Sequence, residues 1–206
     1  MSTMTAPMPV STPPLPSATS APRPKLWTCA EFHGLGDQGY FEGKRAMLID
    51  GVILEQGPMN PPHAMAISLT ADALRTAFGQ GWYIRQQLPL VLGLRTDPEP
   101  DVAVVQGTAR DYTTHPTTAM LAVEVSDTTL SFDQNEKASL YAAGGIADYW
   151  VLDVNGRQLL IFRNPHPDAS AKHGHSYDAP QTFVPGQSVA PLAASGSPVA
   201  VADLLP

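Results

Sequence analysis

P-D-V-A-V-V at 100–105, L-A-V-E-V-S at 121–126, D-Q-N-E-K at 133–137 and Y-A-A-G-G-I-A-D-Y-W-V at 141–151 carry most of what this chain reveals. Asp101 stands where a proline-bounded segment, Thr96 to Pro100, gives way to the apolar run Val102 to Val105. Proline is tolerated at a strand entrance, so Asp101 belongs at the mouth of a strand. The next run, Met120 to Val125, is interrupted only by Glu124. A two-residue period turns Val123 and Val125 to the opposite face and leaves Ser126 on the face of Glu124. An ionised carboxylate inside so apolar a strand is expensive unless a cation or hydrogen-bond donors meet it.

After Ser126 the period changes. Ser131 or Asp133 is a candidate N-cap for a helix rich in Ala, Lys, Glu and Leu, running through about Ala143 and ended by Gly144-Gly145. On it Lys137 and Tyr141 lie one and two turns after Asp133, on the same face. Ile146 to Asp153 reads as a further strand, paired across the D153-V-N-G156 turn with L-L-I-F-R at 159–163.

Two carboxylates at neighbouring strand ends suit a hard divalent ion, Mg²⁺ or Mn²⁺, with water completing the shell. The Lys137 ammonium would hold an attacking water or offset charge developing on a phosphoryl oxygen. Each residue also has a plain reading: Asp101 as a turn residue, Lys137 as a solvated lysine or a partner of Asp133, Tyr141 as packing rather than as an orienter of Lys137. Glu124 is the hardest to read as structural only, and the ordered set favours chemistry.

The series P-D101, E124-V-S126, D133, K137, Y141, G145-I and Y149-W150 resembles the PD-(D/E)XK nuclease superfamily, specifically a large bacterial restriction-endonuclease family once carried as a domain of unknown function. The resemblance covers residues 27 to about 185. It implies a restriction-endonuclease-like α/β core, a mixed central sheet flanked by helices, with an N-terminal hairpin. It implies a Mg²⁺-dependent endonuclease that cleaves DNA, with Asp101 and Glu124 on the metal and Lys137 beside them, and a homodimer that sets two sites on opposite strands. The usual superfamily lysine stands two residues after the glutamate; here that position is Ser126, and the lysine role moves to Lys137. A second reading is a non-catalytic nucleic-acid or protein binding module on a degenerate core; a third is hydrolysis of a small phosphorylated substrate.

Upstream, W-T-C-A-E-F at 27–32 begins a short helix, and Asp50-Gly51 forms a tight turn between strands Ala46–Ile49 and Val52–Glu55. His63 opens a helix from about Pro62 to Phe78, where the family usually carries a histidine; it orients a phosphate, caps the helix or is simply a satisfied structural histidine. The family pattern E-L-I-D-G reads M47-L-I-D-G here, so a carboxylate often counted with the site is missing. Glu42 and Glu55 are candidate substitutes. His166, His173 and His175 read as a surface hairpin rather than a zinc site, having no Cys or carboxylate set at metal spacing.

The chain has 206 residues, 43% of them hydrophobic, enough for a substantial single core. Residues 1–24 read as a flexible Pro/Ser/Thr tail without the pattern of a secretory signal, 25–190 as the domain and 191–206 as a C-terminal segment, with Gln181 to Val184 a short strand and Val199 to Leu205 a weak element. No run reaches membrane-span length. Cys29 stands alone, which fits a reduced cytoplasmic setting and a small buried apolar role. With 19 acidic and 12 basic residues the net charge is −7, so the chain as a whole is not steered toward nucleic acid and any phosphate contacts are local; Arg75, Arg85, Arg95 and Arg110 are candidates, and surface solubility explains them nearly as well.

Overall fold

The computed structural model describes residues 22–206; for residues 1–21 the expected tail lies outside the described residues. Thr28 opens helix α1 (Cys29–Asp37) with a capping box, its hydroxyl accepting from the Glu31 N–H and the Glu31 carboxylate accepting from the Thr28 N–H. The hairpin follows as β1 (Arg45–Ile49) and β2 (Val52–Gln56). Its turn has positive φ at both Asp50 and Gly51, 50° and 80°, the twist that suits a two-residue hairpin. A side chain at Gly51 would meet Leu26 Cβ at 2.8 Å, so this position requires glycine on space as well as on backbone angle.

Helix α2 (Pro61–Phe78) starts on Asn60, whose side chain accepts from the His63 N–H, and two prolines occupy its first turn, where a missing N–H costs nothing. Its buried residues, Ala66, Ile67, Thr70, Ala71, Leu74 and Phe78, follow the 3.6-residue period. They pack on one face of a six-stranded sheet of order β10-β7-β6-β5-β4-β3. The strands are β3 (Trp82–Gln86), β4 (Val102–Gln106), β5 (Leu121–Ser126), β6 (Asp148–Asp153), β7 (Gln158–Arg163) and, after two short strands, β10 (Gln181–Phe183). Only β5 and β6 pair in parallel; the other neighbours are antiparallel. Covered on both faces, β5 and β6 are buried along their whole length, which explains their nearly unbroken apolar runs.

The opposite face is covered by the helical stretch after β5, and here the expected start is corrected. Neither Ser131 nor Asp133 caps it: a short α3 (Leu130–Phe132) precedes a π-helical turn, Asp133–Lys137, which passes into α4 (Ala138–Ala143). Asp133 is drawn inside. The Thr129 hydroxyl donates to its carboxylate at 2.6 Å and the Tyr149 hydroxyl to its carbonyl at 2.9 Å, anchoring the wide turn where a regular start would expose Asp133. Ala138, Tyr141 and Ala142 then pack over Ala103, Ala122, Tyr149 and Val151.

The histidine-rich stretch forms β8 (His166–Pro167) and β9 (His175–Ser176), an antiparallel ribbon. At the C-terminus β11 (Ser188–Val189) pairs with β12 (Val199–Ala200), and Val201, Leu204 and Leu205 join the core under α2. Among the described residues no helix is long and apolar enough to cross a membrane. Cys29 is buried, its thiol 3.2 Å from the Gly93 carbonyl, and burial pushes its pKa up.

Candidate active site

A cavity of about 500 Å³ opens where the sheet, the hairpin and the N-terminus of α2 meet. The mouth of β4 brings Asp101 to it, β5 brings Glu124, and the π-helical turn brings Asp133 and Lys137. From α2 comes His63, and from the hairpin Arg45, Met47 and Glu55. The strand alternation puts Glu124 on the face covered by α4, while Val123 and Val125 pack toward α2.

Glu124 is 2% exposed and fully engaged. The Tyr141 hydroxyl donates to its Oε1 at 2.6 Å and the Lys137 ammonium to its Oε2 at 2.9 Å. Burial pushes its carboxyl up to about 7, with the negative charges of Asp101 and Asp133 adding to the effect and Lys137 opposing it. Lys137 also lies 3.5 Å from Asp133 Oδ1. Desolvation alone would depress the lysine, but Glu124, Asp133 and Asp101 together hold its pKa above the ordinary range, so the ammonium stays charged. Burial, reinforced by Glu124, keeps the Tyr141 phenol well above its usual pKa, so it remains a donor.

Asp101 is the counterpart at the strand mouth. The Val125 N–H donates to its Oδ2 at 2.9 Å, and His63 Nε2 lies 3.4 Å from the carboxylate. Burial would raise this carboxyl, yet the His63 hydrogen bond, the charge of Lys137 and the Val125 N–H bring it below its usual value. The same His63–Asp101 hydrogen bond raises the imidazole's pKa. His63 does not cap α2; its ring bridges Asp101 and Asp127, with Nδ1 3.8 Å from Asp127 Oδ1, and Asn60 donates a short hydrogen bond to the same Asp127. Ser126 is buried beside Thr129, their hydroxyls 3.4 Å apart, and does not line the cavity.

The structure thus brings Asp101, Glu124, Asp133, Lys137 and His63 to one cavity, with Tyr141 behind Glu124. Tyr141 does pack, against Tyr149 at 4.9 Å between ring centroids, and it positions Glu124 rather than Lys137. Of the four candidate phosphate-binding arginines none lines this cavity. Arg75 pairs with Asp72 on the surface, Arg95 and Arg110 are exposed, and Arg85 is buried elsewhere. The arginine present is Arg45, 3.7 Å from Glu99; with its amide oxygen turned toward Arg45, Gln87 accepts from both guanidinium nitrogens at 3.0 and 3.2 Å. Met47 is buried and lines the cavity. Of its candidate substitutes, Glu42 is not part of the lining and Glu55 is tied to Lys44 at 2.7 Å. Glu99 does line the cavity, although its place two residues before Asp101 carried no signal of its own, and burial raises its pKa.

Among the described residues no three His, Cys, Asp or Glu side chains are grouped to hold an ion by themselves.

A mixed sheet with one parallel pair, flanked by helices and joined by a hairpin at the end where two carboxylates and a lysine meet, belongs to the PD-(D/E)XK-like restriction-endonuclease superfamily. Within it, residues 30–194 match the Uma2 family, described as "Putative restriction endonuclease", and the chain belongs to that family. A crystal structure of "a putative nuclease belonging to DUF820" from Anabaena variabilis ATCC 29413 is similar in fold, with a TM-score of 0.60 and 14% identity over 77% of this chain and 88% of that one. No curated protein matches.

Proposed function

We propose that the chain is a metal-dependent endonuclease hydrolysing phosphodiester bonds in DNA. The observation that carries this reading is Lys137: a lysine 8% exposed, its ammonium 2.9 Å from a strand-borne glutamate, in the cavity that also takes Asp101. Asp101 and Glu124 would hold Mg²⁺, or Mn²⁺ in its place. When bound, the cation supplies positive charge opposite the phosphoryl oxygens and eases deprotonation of a water.

The protein's own groups do the rest. Tyr141 and Lys137 fix the two oxygens of Glu124, while His63 and the Val125 N–H fix Asp101, so the carboxylates need little reorganisation. Lys137 orients the attacking water and offsets charge in the transition state, and Asp133, 3.5 Å from its ammonium, helps to hold it. Arg45 is placed to meet a phosphate of the strand.

Purified chain should cleave linear, supercoiled or single-stranded DNA with Mg²⁺ or Mn²⁺, stop with EDTA, and lose cleavage in Lys137→Ala. Asp101→Asn, nearly isosteric, serves as the second variant, and circular dichroism separates lost chemistry from lost folding. Met47, apolar at the family's glutamate position, favours one other reading, a binding module without catalysis. That reading predicts that cation binding is absent or produces no cleavage of any substrate, while DNA still binds.

A further inference from the structure

The face of the sheet that carries Glu124 holds a second cavity, of about 620 Å³. Tyr83 and Arg85 of β3, opposite Val105 and Ala103 of β4, form its floor; His33 of α1 and His115 with Tyr112 from the segment before β5 form its walls. In a chain of net charge −7 this lining contains no carboxylate among the described residues, and it adds three threonines, Thr113, Thr114 and Thr117.

Arg85 is 4% exposed. Its guanidinium donates to the Pro89 carbonyl at 2.8 Å and lies 5.9 Å from the Tyr83 ring centroid, and its Nε has no acceptor among the described residues. Asp97, whose charge reaches it, does not line the cavity: it is 2.6 Å from His33 Nε2, behind that ring. A desolvated guanidinium without a paired carboxylate costs stability, and an anion arriving in the cavity would offset that cost. The His115 ring packs edge-on to His33 at 5.6 Å, so imidazole donors border the same space. The Tyr83 and Tyr112 rings, 6.3 Å apart and tilted by 37°, offer an aromatic wall.

We propose that this cavity is a nucleotide-phosphate site, in which Arg85 and His115 meet the phosphate, threonine hydroxyls donate to it, and the base lies against Tyr112 and Tyr83. Guanidinium–phosphate pairing supplies the charge-assisted hydrogen bonds, and base–aromatic contact tolerates any base. The phosphate belongs to a free nucleotide or to the 5′ end of a DNA strand. Neither source requires the first cavity to hydrolyse anything.

Isothermal titration with EDTA present would compare dAMP, deoxyadenosine, and a short oligonucleotide with and without a 5′-phosphate. Proteins would be the wild type, Arg85→Met, His115→Ala and, as a control on the first cavity, Asp101→Asn, each checked by circular dichroism. The expected result is dAMP binding about tenfold or more above deoxyadenosine, about tenfold weaker in Arg85→Met and in His115→Ala, and unchanged in Asp101→Asn. Tighter binding of the phosphorylated oligonucleotide than of dAMP assigns the strand end; the reverse assigns the free nucleotide. Equal affinity for dAMP and deoxyadenosine, unchanged affinity in both folded cavity variants, loss in Asp101→Asn, or no binding at all would overturn the proposal. Cleavage failing while dAMP still binds would count against the nuclease reading alone.

Discussion

Lys137 and Arg85 are both buried cations on the same face of one sheet, but their surroundings differ. Lys137 lies 2.9 Å from Glu124 and 3.5 Å from Asp133, and these carboxylates outweigh its desolvation and raise its pKa. Arg85 has a backbone carbonyl and a tyrosine ring, and burial lowers its pKa. The first cation is compensated by the fold itself; the second awaits compensation from outside. Burial of charge is therefore common to both cations, and what separates the proposed reaction centre from the second cavity is the number of carboxylates brought to the cation.

The largest expected effect tests the compensated side. Lys137→Met leaves Glu124 and Asp133 buried without their cation, and breaking a buried pair this way should cost about 3–5 kcal/mol, read by chemical denaturation at neutral pH. A loss under about 1 kcal/mol would show the pair to be dispensable for folding. Arg85→Met loses the hydrogen bond to the Pro89 carbonyl and the charge that reaches Asp97 but breaks no ion pair, so it should cost less stability than Lys137→Met, and a loss as large would erase the contrast.

Activity gives the next step down. Glu124→Gln keeps the shape of the side chain and should lower cleavage by about a hundredfold or more with the circular dichroism spectrum intact. Unaltered cleavage would remove Glu124 from the chemistry. Tyr141→Phe deletes one hydrogen bond to Glu124, and above about pH 7, where that acceptor is charged, about 1.5–3 kcal/mol of stability should go with it. If Tyr141 only packs, the phenylalanine variant will melt with the wild type.

The smallest effect expected is graded and depends on pH. With the Glu124 carboxyl raised from 4.5 to about 7, the folded chain without cation keeps a proton there that the unfolded chain releases earlier. Its contribution to stability is thus full below about 4.5 and is lost as pH rises through about 7. Uptake of Mn²⁺ must displace that proton, so affinity should climb as pH approaches about 7 and level off above it. Affinity independent of pH over that range would place the cation away from Glu124.

The sequence by itself determined the strands around Asp101 and Glu124, the Asp50-Gly51 turn and the long α2, because periodicity, prolines and turn residues act over a few neighbours. It also singled out Asp101, Glu124 and Lys137, since an acid inside an apolar strand is costly wherever that strand ends up. The π-helical turn that carries Lys137 to Glu124 was decided by tertiary contacts, from Thr129 and Tyr149 to Asp133, which local propensity does not contain. The same holds for Arg45 and Glu99, which enter the cavity because the hairpin folds across the loop before β4, with Leu48 bridging to Asp97. Arg85, by contrast, reads in the sequence as a phosphate contact or a solubilising surface residue, and only the place of β3 in the sheet buries it. A residue's type and spacing state what chemistry it can do, but its burial and partners depend on chain segments tens of residues away, and only packing brings those together.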